Sequence, residues 1–270
     1  MRNNVPRIGL IAGNGRFPLY FADSARLGGN EVVAVAIREE TSPELEKLVD
    51  EIHWFHVGEL QGMIDVFLER GIDRLVMAGK ITKTRMFNHL KPDARLLRVF
   101  EKTPLRNDDA LLKALAGEFI AEGIHVCDST TFLAALLPQS GTLTKRVPTE
   151  EEWLDIRYGH DIAKKIAGLD IGQTVVVKNR AILAIEAIEG TDEAILRGGK
   201  LGNGYVTVVK VARPQQDMRF DLPVVGLDTI RSLIQVKARC LAIEEKKTLL
   251  LDRDELIAMA DAADLAITVI

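Results

Sequence analysis

The chain has 270 residues, 47% of them apolar, and a formal charge of −4 at neutral pH, which is enough material for two ordinary domains with substantial cores. So mild an acidity gives no global attraction to nucleic acid. Its two cysteines, Cys127 and Cys240, fit neither a zinc site nor a disulfide framework and suit a reducing cytoplasm. The N-terminal apolar run meets glycines too soon for a signal peptide or a membrane span, and reads instead as a first strand, Ile8–Ala12. No other apolar run has the length to cross a bilayer. A glycine turn and a helix near Pro18–Leu27 follow. Glu31–Ile37 (EVVAVAI) predicts a second strand, His53–Val57 a third, Gln61–Arg70 a helix, and Arg74–Ala78 (RLVMA) a further strand ending at Gly79. Asn107 can cap a helix to about Glu122, and Ile124–Val126 adds a strand. Repeated strand–helix units mean a parallel sheet with helices on both faces, spanning 1–138.

Pro138–Pro148 (PQSGTLTKRVP) has the composition of a linker, placed at 139–148. Thr149 and Glu152 then form a capping box for a helix to about Ala167. Strands are expected at Thr174–Lys178, Ile182–Ile188, Tyr205–Ala212, Arg239–Ile243 and Thr248–Leu251, with a short helix from Asp254. Residues 149–270 therefore read as a second, smaller α+β domain with a mixed sheet.

The densest chemistry lies in YVTVVKVARPQQDMRFDLPVVG, residues 205–226. An extended chain would point Asp217, Arg219 and Asp221 to one side. Carboxylates hold hard cations such as Mg²⁺, and an Arg fork matches phosphate oxygens. At a strand rise of roughly 3.3 Å per residue, Asp217 and Asp221 would stand about 13 Å apart, too far for one ion. Either the segment bends or one Asp binds metal, with Asp221 favoured because Pro223 fixes the backbone just after it. A solvated salt-bridge ladder is the plain alternative.

Gly13-Asn14-Gly15-Arg16-Phe17-Pro18 is close to a dinucleotide fingerprint, with proline at the third glycine. Its amides can hold a phosphate, or the glycines simply serve a tight turn. Lys80 to Arg106 is basic, with Lys83, Arg85 and Lys91 around Met86, Phe87 and Leu90, which suits an anionic lipid surface or a solvated helix face. Asp108 and Asp109 open a helix, where dipole compensation explains them by default. In Glu189-Gly190-Thr191-Asp192, Thr191 reads as an N-cap at a strand end, beside two carboxylates. Glu186, inside an apolar strand, needs a partner if buried. Asp170 to Gln173 reads as a turn entering a strand. The five histidines show no metal-ligand spacing.

IAGNGRFP, NDDALL, LDIGQTVVV, AIEAIEGTDEAILR and PQQDMRFDLPVVG together resemble the LpxI family, the UDP-2,3-diacylglucosamine pyrophosphatases of lipid A biosynthesis in Gram-negative bacteria. EGTD and QDxRxDxPxxG carry most of the specificity. The resemblance spans nearly the whole chain. It implies a Rossmann-like N-terminal domain, a family-specific C-terminal domain and a homodimer. It also implies Mg²⁺-dependent cleavage of a lipid-linked UDP-sugar to UMP and lipid X, by attack on the phosphorus next to the sugar. The setting implied is the cytoplasm, at the inner face of the inner membrane. Asp221 matches the carboxylate on which the family relies. The turn before the DD pair often has glycine where this chain has Asn107. With that chemistry in view, the catalytic candidates are Asp221, Arg219, Asp217 and Lys210, the cations Arg219 and Lys210 contacting phosphate oxygens. Metal candidates are Asp221, Glu189 and Asp192. Substrate contacts are expected at Gly13, Asn14, Gly15, Lys80, Asp109, Gln173, Gly190 and Thr191. A non-catalytic nucleotide- or lipid-binding regulator would use the same pockets, and an NAD-dependent oxidoreductase would rest on the glycine turn alone.

Overall fold

The computed structural model describes residues 5–81, 92–103, 108–220 and 222–270, without the side chains of Asp108 and Asp109. The chain divides into two units: residues 1–134 with Met218–Phe220, and residues 135–217 with 221–270.

The first unit is a five-stranded parallel sheet in the order β3-β2-β1-β4-β5. Its strands are β1 (Arg7–Ala12), β2 (Glu31–Ile37), β3 (Glu51–Phe55), β4 (Arg74–Ala78) and β5 (His125–Val126). Helices α1 (Phe17–Leu27), α2 (Leu60–Glu69), α3 (Ala94–Lys102) and α4 (Asp108–Ala121) accompany them. β2 is buried along almost its whole length, as a strand covered on both faces must be, and its valine-rich run follows from that. The strand order reverses direction between β1 and β4, the switch point at which doubly wound folds bind ligands. The Rossmann-like expectation holds. α3 lies in the stretch read only as basic. There Arg95 is buried against Glu118 (2.7 Å) and Glu122 (2.7 Å), and Leu96 and Val99 face the core.

The second unit holds a six-stranded mixed sheet, β6-β13-β11-β9-β7-β8. Its strands are β6 (Gly141–Thr142), β7 (Thr174–Lys178), β8 (Ala181–Ile185), β9 (Thr207–Lys210), β11 (Cys240–Ile243) and β13 (Ala266–Val269); β10 (Val224–Val225) and β12 (Leu249–Leu250) pair separately. β9, β11 and β13 run parallel, and the antiparallel pairs β9–β7 and β7–β8 return β8 to their direction. α5 (Glu150–Gly168) covers one face through Ile156, Ala163 and Ala167. α6 (Thr191–Leu201), α7 (Leu227–Gln235) and α8 (Arg253–Ala262) cover the other through Ile195, Ile230, Leu233 and Leu256. The capping box is formed in full: Glu152 N–H donates to Thr149 Oγ1, and Thr149 N–H to the Glu152 carboxylate.

Several boundaries differ from the expected ones for physical reasons. The stretch 139–148 is not free chain: Gly141 and Thr142 pair antiparallel with β13. β9 starts late because Tyr205 sits at φ 55°, outside the extended region. β8 stops at Ile185, since the chain turns into the loop before α6. α7, β10 and β13 were not foreseen. The expected cap Asn107 and most of the basic stretch, including Lys83, Arg85 and Lys91, lie outside the described residues.

Candidate functional site

In the first unit, the glycine turn packs against the loop after β4. Gly13 N–H donates to Ala78 O (2.8 Å), Asn14 N–H to Lys80 O (2.7 Å) and Lys80 N–H to Asn14 O (3.0 Å). A Cβ on Gly13 would stand 2.5 Å from Lys80 O, and one on Gly79 2.7 Å from Asn14 O. Glycine is therefore required here by close backbone approach, which brings Gly13 and Asn14 against Lys80. Gly15 has φ 98°, and Pro18 sits in the first turn of α1, where its missing N–H costs nothing. Beside the turn is a cavity of about 560 Å³ lined by Asn14, Gly15, Arg16, Leu19, Glu40, Ser42 and Glu44.

In the second unit, the C-terminal ends of β8, β9 and β11 and the start of β7 share one edge. The registers place Thr174 opposite Lys210 and Ile185 opposite Val175. Just past these ends Gln173 O accepts from Val211 N–H (2.9 Å), and Thr174 O from Glu186 N–H (2.9 Å). Lys210 is 7% exposed, and its Nζ donates to Thr191 Oγ1 (2.8 Å). Thr191 Oγ1 donates in turn to Glu186 Oε1 (2.9 Å), while Glu186 Oε2 accepts from Gln173 N–H (3.3 Å). A buried ammonium, a hydroxyl and a carboxylate thus form one chain at the first turn of α6. Glu186 has the partners its position demanded. Gly172 permits the approach: a Cβ there would lie 2.0 Å from Glu186 O.

This arrangement corrects the reading of Thr191 as an N-cap. Gly190 is the cap residue, at φ 88° and with no side-chain cap, and Thr191 is the first helical residue. Its hydroxyl is engaged by Lys210 and Glu186, so the leading amides of α6 stay open to an anion. Asp192 Oδ1 accepts from Thr229 Oγ1 (2.9 Å), tying α6 to α7. Glu189 accepts from Arg197 (2.5 Å) and from Ala187 N–H (3.2 Å). The hydrogen bond from its own backbone, then Arg197, holds its carboxyl below the ordinary range. Two of the three expected metal ligands, Glu189 and Asp192, therefore have protein partners. Among the described residues no three His, Cys, Asp or Glu side chains group closely enough to hold an ion.

An extended run that would put Asp217 and Arg219 on one side is not what the backbone forms. Residues 214–215 and 218–220 are turns, so of the alternatives that the spacing left, the segment bends. Ser129 N–H and Oγ both donate to Met218 O (2.9 and 2.6 Å), Phe220 packs on the first unit's core, and Arg219 lies over the Phe220 ring at 4.7 Å. Arg219 therefore groups with the first unit and Asp217 with the second. Asp221 and the Asp109 side chain lie outside the described residues. Gln173 Oε1 and Gln216 Nε2 are buried without hydrogen-bond partners among the described residues.

A neighbouring cluster escaped the sequence reading. Glu244, just past β11, is 7% exposed and accepts from Ala212 N–H (2.6 Å), Lys164 Nζ (3.1 Å) and His160 Nε2 (3.3 Å). Burial pushes its carboxyl up, but these bonds outweigh burial and hold it below the ordinary carboxylate range. The only hint in the sequence was a glutamate directly after a buried strand.

Fold and sites define a protein of two α/β units, a doubly wound sheet with a glycine-turn cavity and a mixed sheet whose strand ends present a buried cation at a helix N-terminus. Profiles of the LpxI N-terminal and C-terminal domains match residues 7–136 and 139–268, and the chain belongs to the LpxI family. It is 30% identical over 266 residues, 94% of each chain, to the UDP-2,3-diacylglucosamine pyrophosphatase LpxI of Caulobacter vibrioides. Among solved structures it is similar to the biotin carboxylase domain of the Hydrogenobacter thermophilus 2-oxoglutarate carboxylase (14% identity, 64% of this chain and 35% of that one, TM-score 0.28). A second is the biotin carboxylase subunit of pyruvate carboxylase (16%, 68% and 38%, TM-score 0.27). The chain spans little more than a third of either, and likenesses at this level carry no argument. No described helix is long and apolar enough to cross a membrane.

Proposed function

We propose that this protein hydrolyses the pyrophosphate bond of UDP-2,3-diacylglucosamine, releasing UMP and lipid X, as a step of lipid A synthesis. The observation that carries this reading is the Lys210–Thr191–Glu186 chain at the first turn of α6. Cleaving a diphosphate needs charge neutralisation on its oxygens and a positioned water. Lys210 supplies a preorganised positive charge, and the Thr191 amide in the first turn of α6 supplies a donor. The orphaned amide atoms of Gln173 and Gln216 are suited to further substrate contacts. Asp221 is the candidate to orient or deprotonate the water, and Arg219 a further phosphate contact. Water adds to one phosphorus, the P–O–P bridge breaks, and the bridging oxygen leaves with the other phosphate.

The lipid part of the substrate suits the apolar side chains beside this edge. Ile188 is 96% exposed, and Leu169 and Ile171 are exposed in the adjoining turn, which touches Glu186 through Gly172. Taken by itself, the glycine-turn cavity of the first unit can hold sugar hydroxyls of a nucleoside, since Glu40, Ser42 and Glu44 can accept from or donate to them. Mg²⁺ belongs to the proposal on the hard-oxygen chemistry of Asp221 and Asp217, since Glu189 and Asp192 are engaged by Arg197 and Thr229, and no step above is routed through it. Homodimer formation and contact with the inner membrane surface are part of the same reading.

The test is UMP release from the lipid-linked UDP-sugar by the full chain, with Mg²⁺ and with EDTA. Turnover should require the ion, and Asp221→Ala should abolish it while the protein stays folded. In ¹⁸O water the label should enter the lipid-linked phosphate, because the attack proposed is on the phosphorus next to the sugar. Label in UMP would refute that assignment, and a wild-type rate from Asp221→Ala would refute the role of the carboxylate.

A further inference from the structure

We propose that Glu244 and Lys164 are positioning residues, which fix the chain where it leaves β9 and thereby set Lys210 and the root of the loop carrying Asp217, Arg219 and Asp221. The inference rests on reading Lys210 as a phosphate contact. The β9–β11 ladder ends with Lys210 opposite Ile243. Ala212, two residues on, is fully buried, so both its backbone groups need partners. No strand provides them. Ala212 N–H donates to Glu244 Oε2 (2.6 Å), and Ala212 O accepts from Lys164 Nζ (2.6 Å). Lys164 Nζ lies 3.0 Å from Glu244 Oε1. One ion pair, from α5 and the end of β11, therefore takes the place of a neighbouring strand and grips both sides of one peptide. His160 Nε2, at 3.3 Å from Glu244 Oε1, braces the carboxylate from the next turn of α5.

The direction fixed at Ala212 carries into the loop. Arg213 precedes Pro214, which restricts it. Arg213 also pairs with Asp170 (2.8 Å), and its N–H donates to Gln216 Oε1 (2.8 Å). Lys210, two residues before Ala212, reaches Thr191 from the same length of backbone. A purely structural ion pair would be content anywhere in the core. This one holds the peptide between the buried cation and the polar loop.

The experiment compares Glu244→Gln, Glu244→Ala and Lys164→Met with Arg146→Met in the full-length protein. Arg146 makes an equally buried pair with Glu152 (2.6 Å) and caps Arg239 O (3.0 Å), at the opposite end of α5. UMP release gives kcat and KM, thermal melting gives stability, and hydrogen exchange reads the Ala212 amide. In Glu244→Ala and Lys164→Met, kcat should fall about 100-fold, as a small misplacement of a charge-stabilising group does, with KM nearly unchanged. Glu244→Gln, which keeps an acceptor for Ala212, should lie between these and wild type. Arg146→Met should lose a similar melting temperature and keep kcat. If kcat follows stability equally in all four variants, or if Glu244→Ala keeps the wild-type kcat, the positioning role is overturned. A wild-type chain that releases no UMP would end the pyrophosphatase reading alone. The clamp would then be decided by exchange: loss of Ala212 protection in Glu244→Ala, with Val176 still protected, supports it, and unchanged protection overturns it.

Discussion

Lys210 is the residue whose placement asks most for an explanation. The charge of a lysine that is only 7% exposed as a residue is costly unless its protons are bonded, and Thr191 Oγ1 takes one of them at 2.8 Å. Holding a charge in that state before substrate arrives is the electrostatic preorganisation that phosphoryl chemistry uses. Lys210→Met keeps the length of the stem and removes the charge, so the fold should survive while kcat for UMP release drops by about 10²–10³. Thr191→Val is a different case. It keeps the shape but strips a hydroxyl that both receives from Lys210 and donates to Glu186, and a group left unsatisfied costs about 1–3 kcal/mol. Urea denaturation of Thr191→Val should show a loss in that range, and turnover should fall with it. Wild-type turnover in Lys210→Met would remove Lys210 from the site. At this scale the sequence was informative wherever chemistry coincided with a strand end. Glu186 needed a partner, and Gly190 and Thr191 marked a helix start. It could not reveal that Thr191 faces Lys210, because 19 residues separate them and the contact exists only once β9 lies in register beyond β7.

The element scale shows why local signals succeeded and non-local ones did not. Thr149 and Glu152 lie three apart, and their reciprocal bonds are decided within one turn of α5, so the capping box was legible. Thr149→Ala should lower stability by about 1 kcal/mol, read as an earlier urea midpoint with unaltered UMP release, since the cap sits at the far end of α5 from Lys164. Unchanged stability would mean that Arg146, also bonded to Glu152, carries the helix start alone. The β1–β2–β4 core was legible for a similar reason, as runs of buried β-branched residues spaced by helical periods. β6 was not, because Gly141 and Thr142 become a strand only through pairing with β13, more than a hundred residues away. The 205–226 segment misled in the other direction. Its alternation of Asp217, Arg219 and Asp221 has the period of a strand, but Met218 bonds to Ser129 and Phe220 seeks an apolar core. Burial of an aromatic ring and two hydrogen bonds to one carbonyl outweigh a two-residue pattern of charges.

For the molecule as a whole, the same buried partners give a stability that depends on pH in a predictable sense. Each unit contains a carboxylate held below the ordinary range. In the first it is Glu51, where burial is outweighed by bonds from Arg70 (2.7 Å) and His53 (2.7 Å). In the second, besides the more exposed Glu189, there is Glu244, faced by Lys164 and His160 from α5, with Lys247 at 4.0 Å and Asp161 beyond His160. A carboxyl that is more acidic folded than unfolded binds fewer protons in the native state. Its contribution is therefore complete at neutral pH, begins to fade as the unfolded chain titrates, and is lost as pH falls through the folded value. Urea midpoints of the wild type should stay level from neutral pH down to the upper edge of the ordinary carboxylate range and then decline. Glu244→Gln cannot titrate, so its curve should start lower at neutral pH and converge on the wild-type curve in acid. Removing Lys164 alone should be harsher than removing the pair, because it leaves a buried carboxylate facing the Ala212 amide without its main counter-charge. Two curves that stay parallel to the lowest pH would show that Glu244 has the same affinity for protons folded and unfolded, and that the hydrogen bonds from Ala212, Lys164 and His160 do no more than cancel the cost of its burial.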